Sequence, residues 1–327
     1  MPRHLSYPQA TALVRSRAEL ERYGWGDGDI RRAVRDGSLR RVQRNRYVDG
    51  ADWEGCWADG RHRLQIAAAV AEMRDGPAVV SHASAAVLHG LPLYRHVPDA
   101  VHVTVAASTR MSRTTPVRRH HDRLAEADVV TVDGVSVTSL DRTVLDVLRL
   151  LPAEAAIACA DHAMRATAFV GRTYDDGRAE QWRASMRTRM DAAPGARGIR
   201  RARPIVEAAD GRAESPTESV GRLQFIRLGF DDLVLQPEIV AAAGKRYRAD
   251  LGVPPLRAYV EFDGRAKYTD VELRGGRTAE EVVFDEKRRE DAVRAATGWR
   301  VVRVLDEHVR TPEALAAHLG TYGIRPR

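Results

Sequence analysis

Two carboxylates and an ammonium group lie close together near the C-terminus of the sequence. Asp250 precedes a Gly/Pro turn, and Glu261 follows eleven positions later inside the largely apolar segment 256–262. Lys267 comes shortly afterwards, and the alternating pattern predicts that the two acids belong to adjacent strands. Neighbouring carboxylates repel each other, so a hard cation such as Mg²⁺ is the usual way to keep both ionised. The spacing therefore predicts a divalent-metal site that could polarise a phosphate and activate a water molecule.

Lysine is rare in this chain. Of the 52 basic residues only Lys245, Lys267 and Lys287 are lysines, and Lys267 is the one beside the acidic pair. A compact ammonium group with an adjustable pKa can assist an attacking water, whereas a guanidinium is permanently charged. Lys267 is therefore a candidate catalytic residue.

The composition predicts a globular protein with more than one domain. The 327 residues are 44% hydrophobic and 30% charged, and no apolar run is long enough to cross a bilayer. The first residues lack the apolar core of a signal peptide, so we expect a cytoplasmic protein without membrane association. Cys56 and Cys159 lack the paired spacing of a zinc site, and we expect free thiols.

Positive charge is concentrated at the N-terminus. The formal net charge is +7, and residues 1–50 contain eleven arginines against six acids, whereas residues 214–305 hold sixteen basic and sixteen acidic side chains. Such an excess is typical of proteins that contact phosphate, and a solvated basic face is the alternative. The charge distribution favours double-stranded DNA as a partner.

The order of elements predicts a winged helix-turn-helix DNA-binding domain at residues 1–50. Two short helices and a break at 24–26 precede a third helix at 28–35. An alternating apolar and basic segment, 39–48, then predicts a hairpin that turns at Arg44-Asn45. In such a domain the second helix of the pair enters the major groove, and the hairpin lies along the backbone. The candidate DNA-binding residues are Arg31, Arg32, Arg35, Arg40, Arg41, Arg44 and Arg46.

The segment from Gly24 to Tyr47 also resembles the N-terminal DNA-binding domain of AbiEi-like antitoxins. It contains the Ile-Arg-Arg helix, the Gly-x-Leu and the Arg-rich hairpin ending in tyrosine that are typical of those proteins. Segments 81–92 and 137–146 resemble the middle part of the same proteins. The resemblance implies transcription regulation within a toxin-antitoxin system, with a cognate toxin as a possible partner.

Residues 61–166 predict a separate α/β domain of the antitoxin-like type, and residues 167–212 predict a partly helical connector. The histidines of the middle domain are His82, His89, His96, His102, His120 and His121. Their spacing matches no metal motif, so we expect hydrogen-bonded or solvent-facing side chains and assign no chemistry to them.

Residues 213–327 predict a mixed sheet flanked by helices. Ser215-Pro216-Thr217-Glu218 has the pattern of a capping box that begins a helix. Strand segments, a long charged helix at 278–297 and a final strand follow. Together with the preceding regions, this predicts an α/β fold of the α+β multidomain kind.

The C-terminal region resembles the PD-(D/E)XK nuclease superfamily, and most of all its branch related to very-short-patch-repair endonucleases. The residues that carry the resemblance are, in chain order, Glu218, Asp250, Glu261-Phe262-Asp263-Gly264, Glu286 to Asp291, and Gly298 to Arg303. The resemblance implies a restriction-endonuclease-like mixed sheet and a Mg²⁺-dependent or Mn²⁺-dependent DNA endonuclease site.

The resemblance also implies roles for individual residues. Asp250 and Glu261 would be the first metal ligands. Asp263 would be a further ligand or would orient a water molecule, and Glu218 would be an outer or second-metal acid. Lys267 would position or activate the attacking water. Arg288 and Arg289 are candidate DNA contacts or ordinary surface arginines.

Two departures from the superfamily pattern keep a second function open. Ala249 stands where the superfamily has proline, and Asp263 stands in the usual lysine position. Glu218 could be only a helix cap, whereas Glu261 would be costly as an unpaired charge inside an apolar strand. The first hypothesis is therefore a DNA-binding enzyme that hydrolyses phosphodiesters. The alternative is an AbiEi-like antitoxin and transcriptional repressor with a catalytically inactive nuclease-like domain.

Overall fold

The computed structural model describes residues 3–73, 78–105, 117–263 and 279–325. Their contacts divide the chain into two compact units. The first unit comprises Met1–Cys159 and Met186–Arg203, and the second comprises Ala160–Ser185 and Pro204–Arg327. The mixed α/β architecture predicted from the sequence is confirmed, while the four-part division into domains stays a prediction.

Up to residue 150, helices and short strands alternate. The helices are α1 (Tyr7–Leu13), α2 (Arg17–Arg22), α3 (Asp27–Asp36), α4 (Gly50–Glu54), α5 (Ala58–Glu72), α6 (His82–Leu88) and α7 (Leu140–Leu150). The strands are β1 (Arg15–Ser16), β2 (Leu39–Gln43), β3 (Arg46–Asp49), β4 (Val79–Val80), β5 (Val101–Val105), β6 (Val117–His121), β7 (Val129–Val132) and β8 (Val135–Thr138).

Beyond residue 150, three helices precede a region that again mixes helices and strands. The helices are α8 (Ala153–Ala168), α9 (Asp176–Asp191), α10 (Ile199–Ala208), α11 (Pro216–Arg227), α12 (Ala279–Thr297) and α13 (Pro312–Thr321). The strands are β9 (Phe169–Val170), β10 (Thr173–Tyr174), β11 (Val234–Leu235), β12 (Glu238–Val240), β13 (Arg246–Arg248), β14 (Leu251–Val253), β15 (Ala258–Asp263) and β16 (Arg300–Leu305).

Side-chain caps begin the first two helices. The Ser6 hydroxyl accepts a hydrogen bond from the amide of Gln9, and the Ser16 hydroxyl accepts one from the amide of Glu19. The Gln9 and Glu19 side chains accept from the amides of the two caps in return. Gly37 ends α3 with a φ of 86°, a left-handed conformation that costs glycine little.

The predicted N-terminal hairpin is confirmed. Strands β2 and β3 pair in antiparallel fashion around Arg44-Asn45, and β1 pairs with β3 to complete a three-stranded sheet. Helices α2 and α3 share a small core with this sheet. That core consists of Leu20, Ile30, Ala33, Leu39 and Tyr47. Packing these apolar side chains fixes α3 against the hairpin.

A five-stranded mixed sheet forms the centre of the first unit, in the order β6-β5-β4-β8-β7. Strand β4 pairs antiparallel with β5 and parallel with β8, and β5 pairs parallel with β6. A turn at Asp133-Gly134 joins β7 to β8. Val80, Val103 and Val137 are fully buried on this sheet, and α5 and α6 pack against it.

The second unit contains a four-stranded sheet in the order β11-β14-β15-β16. Strand β15 pairs antiparallel with β14 and parallel with β16. Helix α11 packs against β15 at Gly221, where a Cβ atom would lie 2.1 Å from the ring of Phe262. A separate antiparallel ribbon of β12 and β13 lies beside α12.

Segment 246–251 is shared between two strands of the second unit. The chain leaves the β12–β13 ribbon at Ala249 and enters the larger sheet after Asp250. The predicted capping box forms only in part. Ser215 accepts from the amide of Glu218, but the Glu218 carboxylate accepts from the amide of Glu214 rather than from that of Ser215.

The described helices include no segment long and apolar enough to cross a membrane. Cys56 and Cys159 are buried and free, as predicted.

Candidate functional site

The predicted acidic pair lies at one position of the β14–β15 ladder. Leu251 pairs with Val260, so continuing the register by one residue places Asp250 opposite Glu261. Directly opposed residues of antiparallel strands share a face and have Cβ atoms about 4.5–5.5 Å apart. Asp263 lies two residues beyond Glu261 and therefore points to the same face. The turn between β14 and β15 thus brings together three of the predicted site residues.

Glu218 approaches the pair from the first turn of α11. Its side chain is buried, and Oε2 accepts hydrogen bonds from the amide of Glu214 and from Nε2 of Gln236, both at 2.9 Å. Burial raises the pKa of the Glu218 carboxyl, and the negative charge of Asp250 raises it further. Glu218 and Asp250 therefore interact electrostatically.

The Asp250 side chain is held against β15. Its Oδ2 atom accepts a hydrogen bond from the amide of Phe262 at 2.8 Å, and its backbone carbonyl accepts from the amide of Gln236 at 3.0 Å. Asp250 is thereby fixed between Gln236, which contacts Glu218, and the strand that carries Glu261. Short hydrogen bonds of this kind preorganise a site before any ligand binds.

Arginines lie beside the other two acids. Nη2 of Arg289 is 2.9 Å from Glu261, and Nη1 of Arg303 is 3.5 Å from Asp263 and 2.7 Å from Glu286. Burial is the main cause of a raised pKa at Glu261; Asp250 and Asp263 add to it, and the two arginines oppose it. Glu286, on α12, was not among the predicted site residues, because nothing in the sequence shows that Arg303 joins it to β15.

The carboxylates that meet here form an acidic group, whose members among the described residues are Glu218, Asp250, Glu261, Asp263 and Glu286, with Arg289 and Arg303 beside them. Like charges in a partly buried site repel one another. No three of the described carboxylates place oxygen atoms within 4.8 Å of one another. A metal ion held by three of them would first draw the side chains together. Lys267 lies outside the described residues.

Most of the predicted DNA-contacting arginines are exposed. Arg31, Arg32 and Arg35 lie on the outer face of α3, and Arg40, Arg41 and Arg44 lie on or beside the hairpin. Arg46 differs from them, because its guanidinium contacts the Glu72 carboxylate at 2.8 Å and is largely buried. Arg46 therefore connects the hairpin to α5. Arg288, on α12, is also exposed, and its guanidinium lies over the ring of Phe284.

A second polar cluster lies in the first unit, where no chemistry was predicted. His82 at the start of α6, His102 on β5 and His120 on β6 bring ring nitrogens within 4.8 Å of one another. Sequence spacing could not reveal this group, since each histidine belongs to a different element. In the strand 101–105 the alternating pattern places the three valines on one face and His102 and Thr104 on the other, which would ordinarily be the solvent face. The burial of that second face is visible only in the tertiary structure.

His62, on α5, lies near this cluster in a fully buried position. Its Nδ1 atom is 2.9 Å from Oε1 of Gln65, and its Nε2 atom is 2.8 Å from the Ser84 hydroxyl. Burial lowers the pKa of His62 from 6.5 to about 4. Between pH 6.5 and pH 4, His62 therefore binds a proton in the unfolded chain but not in the folded chain. The contribution of His62 to the free energy of unfolding is fully present above pH 6.5 and is lost as the pH falls toward 4.

Replacing His62 by glutamine is therefore expected to make stability less dependent on pH. The difference in the free energy of unfolding between wild type and His62→Gln should change by on the order of 1.5 kcal/mol between pH 6.5 and pH 5. Urea denaturation of both proteins over this range measures the effect. Equal pH slopes for the two proteins would show that His62 is protonated as easily in the folded state as in the unfolded one.

Two similar proteins show the family of the chain, although no family model matches it. The uncharacterized proteins MT2308 and Rv2248 of two Mycobacterium tuberculosis strains are each 30% identical to it over 296 residues, which is 90% of this chain and 96% of theirs. The chain belongs to the same family as these mycobacterial proteins. The crystal structure of the RV2827C protein from Mycobacterium tuberculosis has a TM-score of 0.36 and 15% identity, over 66% of this chain and 78% of that one.

Proposed function

We propose that the protein binds double-stranded DNA and hydrolyses a phosphodiester with Mg²⁺ or Mn²⁺ in its C-terminal domain. The observation that carries the proposal is the cross-strand pair of Asp250 and Glu261, with Asp263 on the same face and Glu218 adjoining. Oxygen ligands on one face of a sheet suit a hard divalent cation.

Each residue has a distinct role in this proposal. Asp250 and Glu261 would bind the metal, which polarises the phosphate and lowers the pKa of a bound water. Asp263 would be a third ligand or would orient that water. Glu218 would act through Asp250, whose charge it contacts electrostatically, while its Oε2 atom accepts two hydrogen bonds. Lys267 keeps its proposed role as the residue that positions the attacking water.

The two arginines would then exchange partners on binding. Arg289 and Arg303 contact Glu261 and Asp263, and a metal ion would take over the neutralisation of these carboxylates. The released guanidinium groups could contact DNA phosphates, for which their planar donor arrangement is well suited. Arg288, one residue from Arg289 on α12, would contribute to the same contact.

Binding to DNA would depend on the N-terminal region. The order α1, β1, α2, α3, β2, β3 supports a winged helix-turn-helix domain, in which α3 would enter the major groove. The exposed arginines of α3 and of the hairpin support this orientation. DNA binding of this kind also fits the predicted cytoplasmic location.

A second function is favoured by the same ion pairs. Glu261 already has an arginine at 2.9 Å, and the carboxylates are too widely spaced to hold an ion through three oxygens without movement. If these ion pairs persist on DNA, the protein would be an AbiEi-like antitoxin and transcriptional repressor, with an inactive nuclease-like domain and a cognate toxin as partner.

Cleavage of supercoiled plasmid separates the two functions. With Mg²⁺ or Mn²⁺, we expect nicking by the wild-type protein and at least a ~10²-fold slower rate for Asp250→Asn and Glu261→Gln, because a metal contributes several kcal/mol to the transition state. Asp250→Asn keeps an oxygen that can accept from the Phe262 amide, so the fold should persist. Asp232→Asn, an exposed acid on the same unit, is the matched control and should cleave normally.

DNA affinity must be measured alongside cleavage. Retained binding without cleavage in either metal would support the repressor. Equal nicking by wild type, Asp250→Asn and Glu261→Gln would exclude the proposed site. Absence of DNA binding by the wild-type protein at low salt, where phosphate contacts are strongest, would overturn both functions.

A further inference from the structure

The three clustered histidines are placed by the pairing of β5 and β6. Thr104 pairs with His120 in the parallel ladder, and His102 lies two residues before Thr104 on the same face. The Nδ1 atom of His102 is 2.9 Å from Nε2 of His120. His82 approaches from α6, and its ring stacks on that of His120 with centroids 3.6 Å apart.

The three rings lie in a largely buried place. Burial, with a smaller contribution from the neighbouring rings, lowers the pKa of His82 to about 2 and that of His102 to about 3, and burial lowers that of His120 to about 4. Imidazole nitrogens are common ligands of transition-metal ions.

A buried carboxylate lies behind the cluster. Asp146, on α7, is 1% exposed, and its Oδ2 atom has no hydrogen-bond partner among the described residues. This oxygen lies 3.7 Å from Nδ1 of His82. A buried acceptor without a donor is costly, whereas a carboxylate that faces the outer nitrogen of a metal-bound histidine is a common arrangement.

The backbone of His82 gives a further indication. Its φ is 53°, in the left-handed region that a residue other than glycine seldom adopts. Such conformations persist where surrounding contacts impose them, and they occur often at ligand sites. The cost here is offset by an arrangement that places the His82 ring between Asp146 and His120.

Arginines near the cluster are paired with carboxylates. Arg142 contacts Asp146 and Asp122, and Arg149 lies within 4.0 Å of the same two carboxylates. Arg118 contacts Asp99 at 3.0 Å. The carboxylates offset part of the positive charge that a cation would meet at the cluster.

We propose that His82, His102 and His120 bind one divalent transition-metal ion, of which Zn²⁺ is the best fit, and that Asp146 orients His82. Imidazole ligands favour Zn²⁺ and its neighbours over Mg²⁺, which prefers oxygen. The ligand nitrogens already lie within 4.8 Å of one another. Because the His82 and His120 rings are stacked, a tetrahedral site with zinc–nitrogen bonds of about 2.0–2.1 Å would require one of these rings to turn out of the stack. The fourth position would remain for water.

Titration of the metal-free full-length protein with Co²⁺ and Zn²⁺ tests this site. We expect one ion per chain, the intense visible absorption of tetrahedral Co²⁺, and displacement of Co²⁺ by Zn²⁺ but not by Mg²⁺. His120→Ala should weaken binding by at least about 10²-fold, and Asp146→Asn by about 10-fold to 100-fold. His121→Ala, the exposed neighbour of His120, is the matched control and should bind as the wild type does.

Two further measurements keep the outcome decisive. The double variant Asp250→Asn/Glu261→Gln should keep the Co²⁺ spectrum, which separates this site from the acidic group of the second unit. Circular dichroism identifies any variant that fails to fold. For such a variant, the test rests on the Co²⁺ titration of the wild-type protein. Absence of one-to-one uptake by the wild-type protein, or uptake that survives in folded His120→Ala, would overturn the proposal.

Discussion

Asp161→Ala is expected to lower the free energy of unfolding by about 3–5 kcal/mol, since it leaves a buried guanidinium without its carboxylate partner. Asp161 and Arg222 are 1% and 4% exposed. Nη2 of Arg222 lies 2.9 Å from Oδ1 and 2.7 Å from Oδ2 of Asp161, and Oδ1 also accepts from the amide of Asp210 at 2.8 Å. Chemical denaturation at neutral pH, followed by circular dichroism, measures the loss.

Two controls define the cause of this effect. Asp161→Leu combined with Arg222→Met replaces both charges by apolar side chains, and it should recover most of the lost stability. The exposed pair of Asp191 and Arg203, 2.6 Å apart, is the matched surface pair, and Asp191→Ala should cost less than about 1 kcal/mol. A similar loss from both alanine variants would mean that burial does not decide the strength of these pairs.

The Asp161 contact also bears on the acidic group. Arg222 lies one turn beyond Glu218 on α11, so the ion pair with Asp161 fixes the helix that carries Glu218. In the proposed function, Asp161→Ala should therefore reduce cleavage as well as stability, even at temperatures where the protein stays folded.

Gly50→Ala is expected to destabilise the N-terminal region by about 1–3 kcal/mol or more, as overpacked sites do. A Cβ at this position would lie 1.9 Å from the carbonyl oxygen of Gly37, a backbone atom that cannot rotate away. The Gly50 amide also donates to the Ser38 carbonyl at 2.8 Å, which fixes the end of β3 against the end of α3. Thermal denaturation, together with limited proteolysis of residues 17–49, measures the effect.

Gly28→Ala is the matched control for this prediction. Gly28 lies in α3, and a Cβ there would have no atom within 4 Å. Alanine favours helix over glycine by up to about 1 kcal/mol, so this variant should be neutral or slightly stabilised. If Gly50→Ala melts at the wild-type temperature, the close contact with Gly37 does not constrain the fold. In the proposed function, Gly50→Ala should also weaken DNA binding, while Gly28→Ala should not.

Local sequence signals determined the features that depend on a few neighbouring residues. The break at 24–26, the helix that follows it and the hairpin turn at Arg44-Asn45 were all predicted and are all present. Each is decided by backbone conformation or by a hydrogen bond that spans two or three positions. The approach of Asp250 to Glu261 belongs with them, because one tight turn between paired strands is sufficient to produce it.

Tertiary packing decided everything that joins distant segments. Arg289 and Arg303 reach Glu261 and Asp263 only because α12 and β16 lie beside β15. The ion pair of Asp161 and Arg222 joins residues 61 positions apart. No local pattern encodes such contacts, because they depend on how whole elements pack against one another.

The histidine cluster shows most clearly which features the sequence determined and which the tertiary structure decided. The sequence placed His102 in a largely apolar strand, but it did not determine that its ring is buried. It did not determine that a parallel pairing would bring His120 alongside, or that α6 and α7 would add His82 and Asp146. Strand pairing and helix packing minimise the exposed apolar surface of the whole unit, and the meeting of these polar side chains follows from that arrangement.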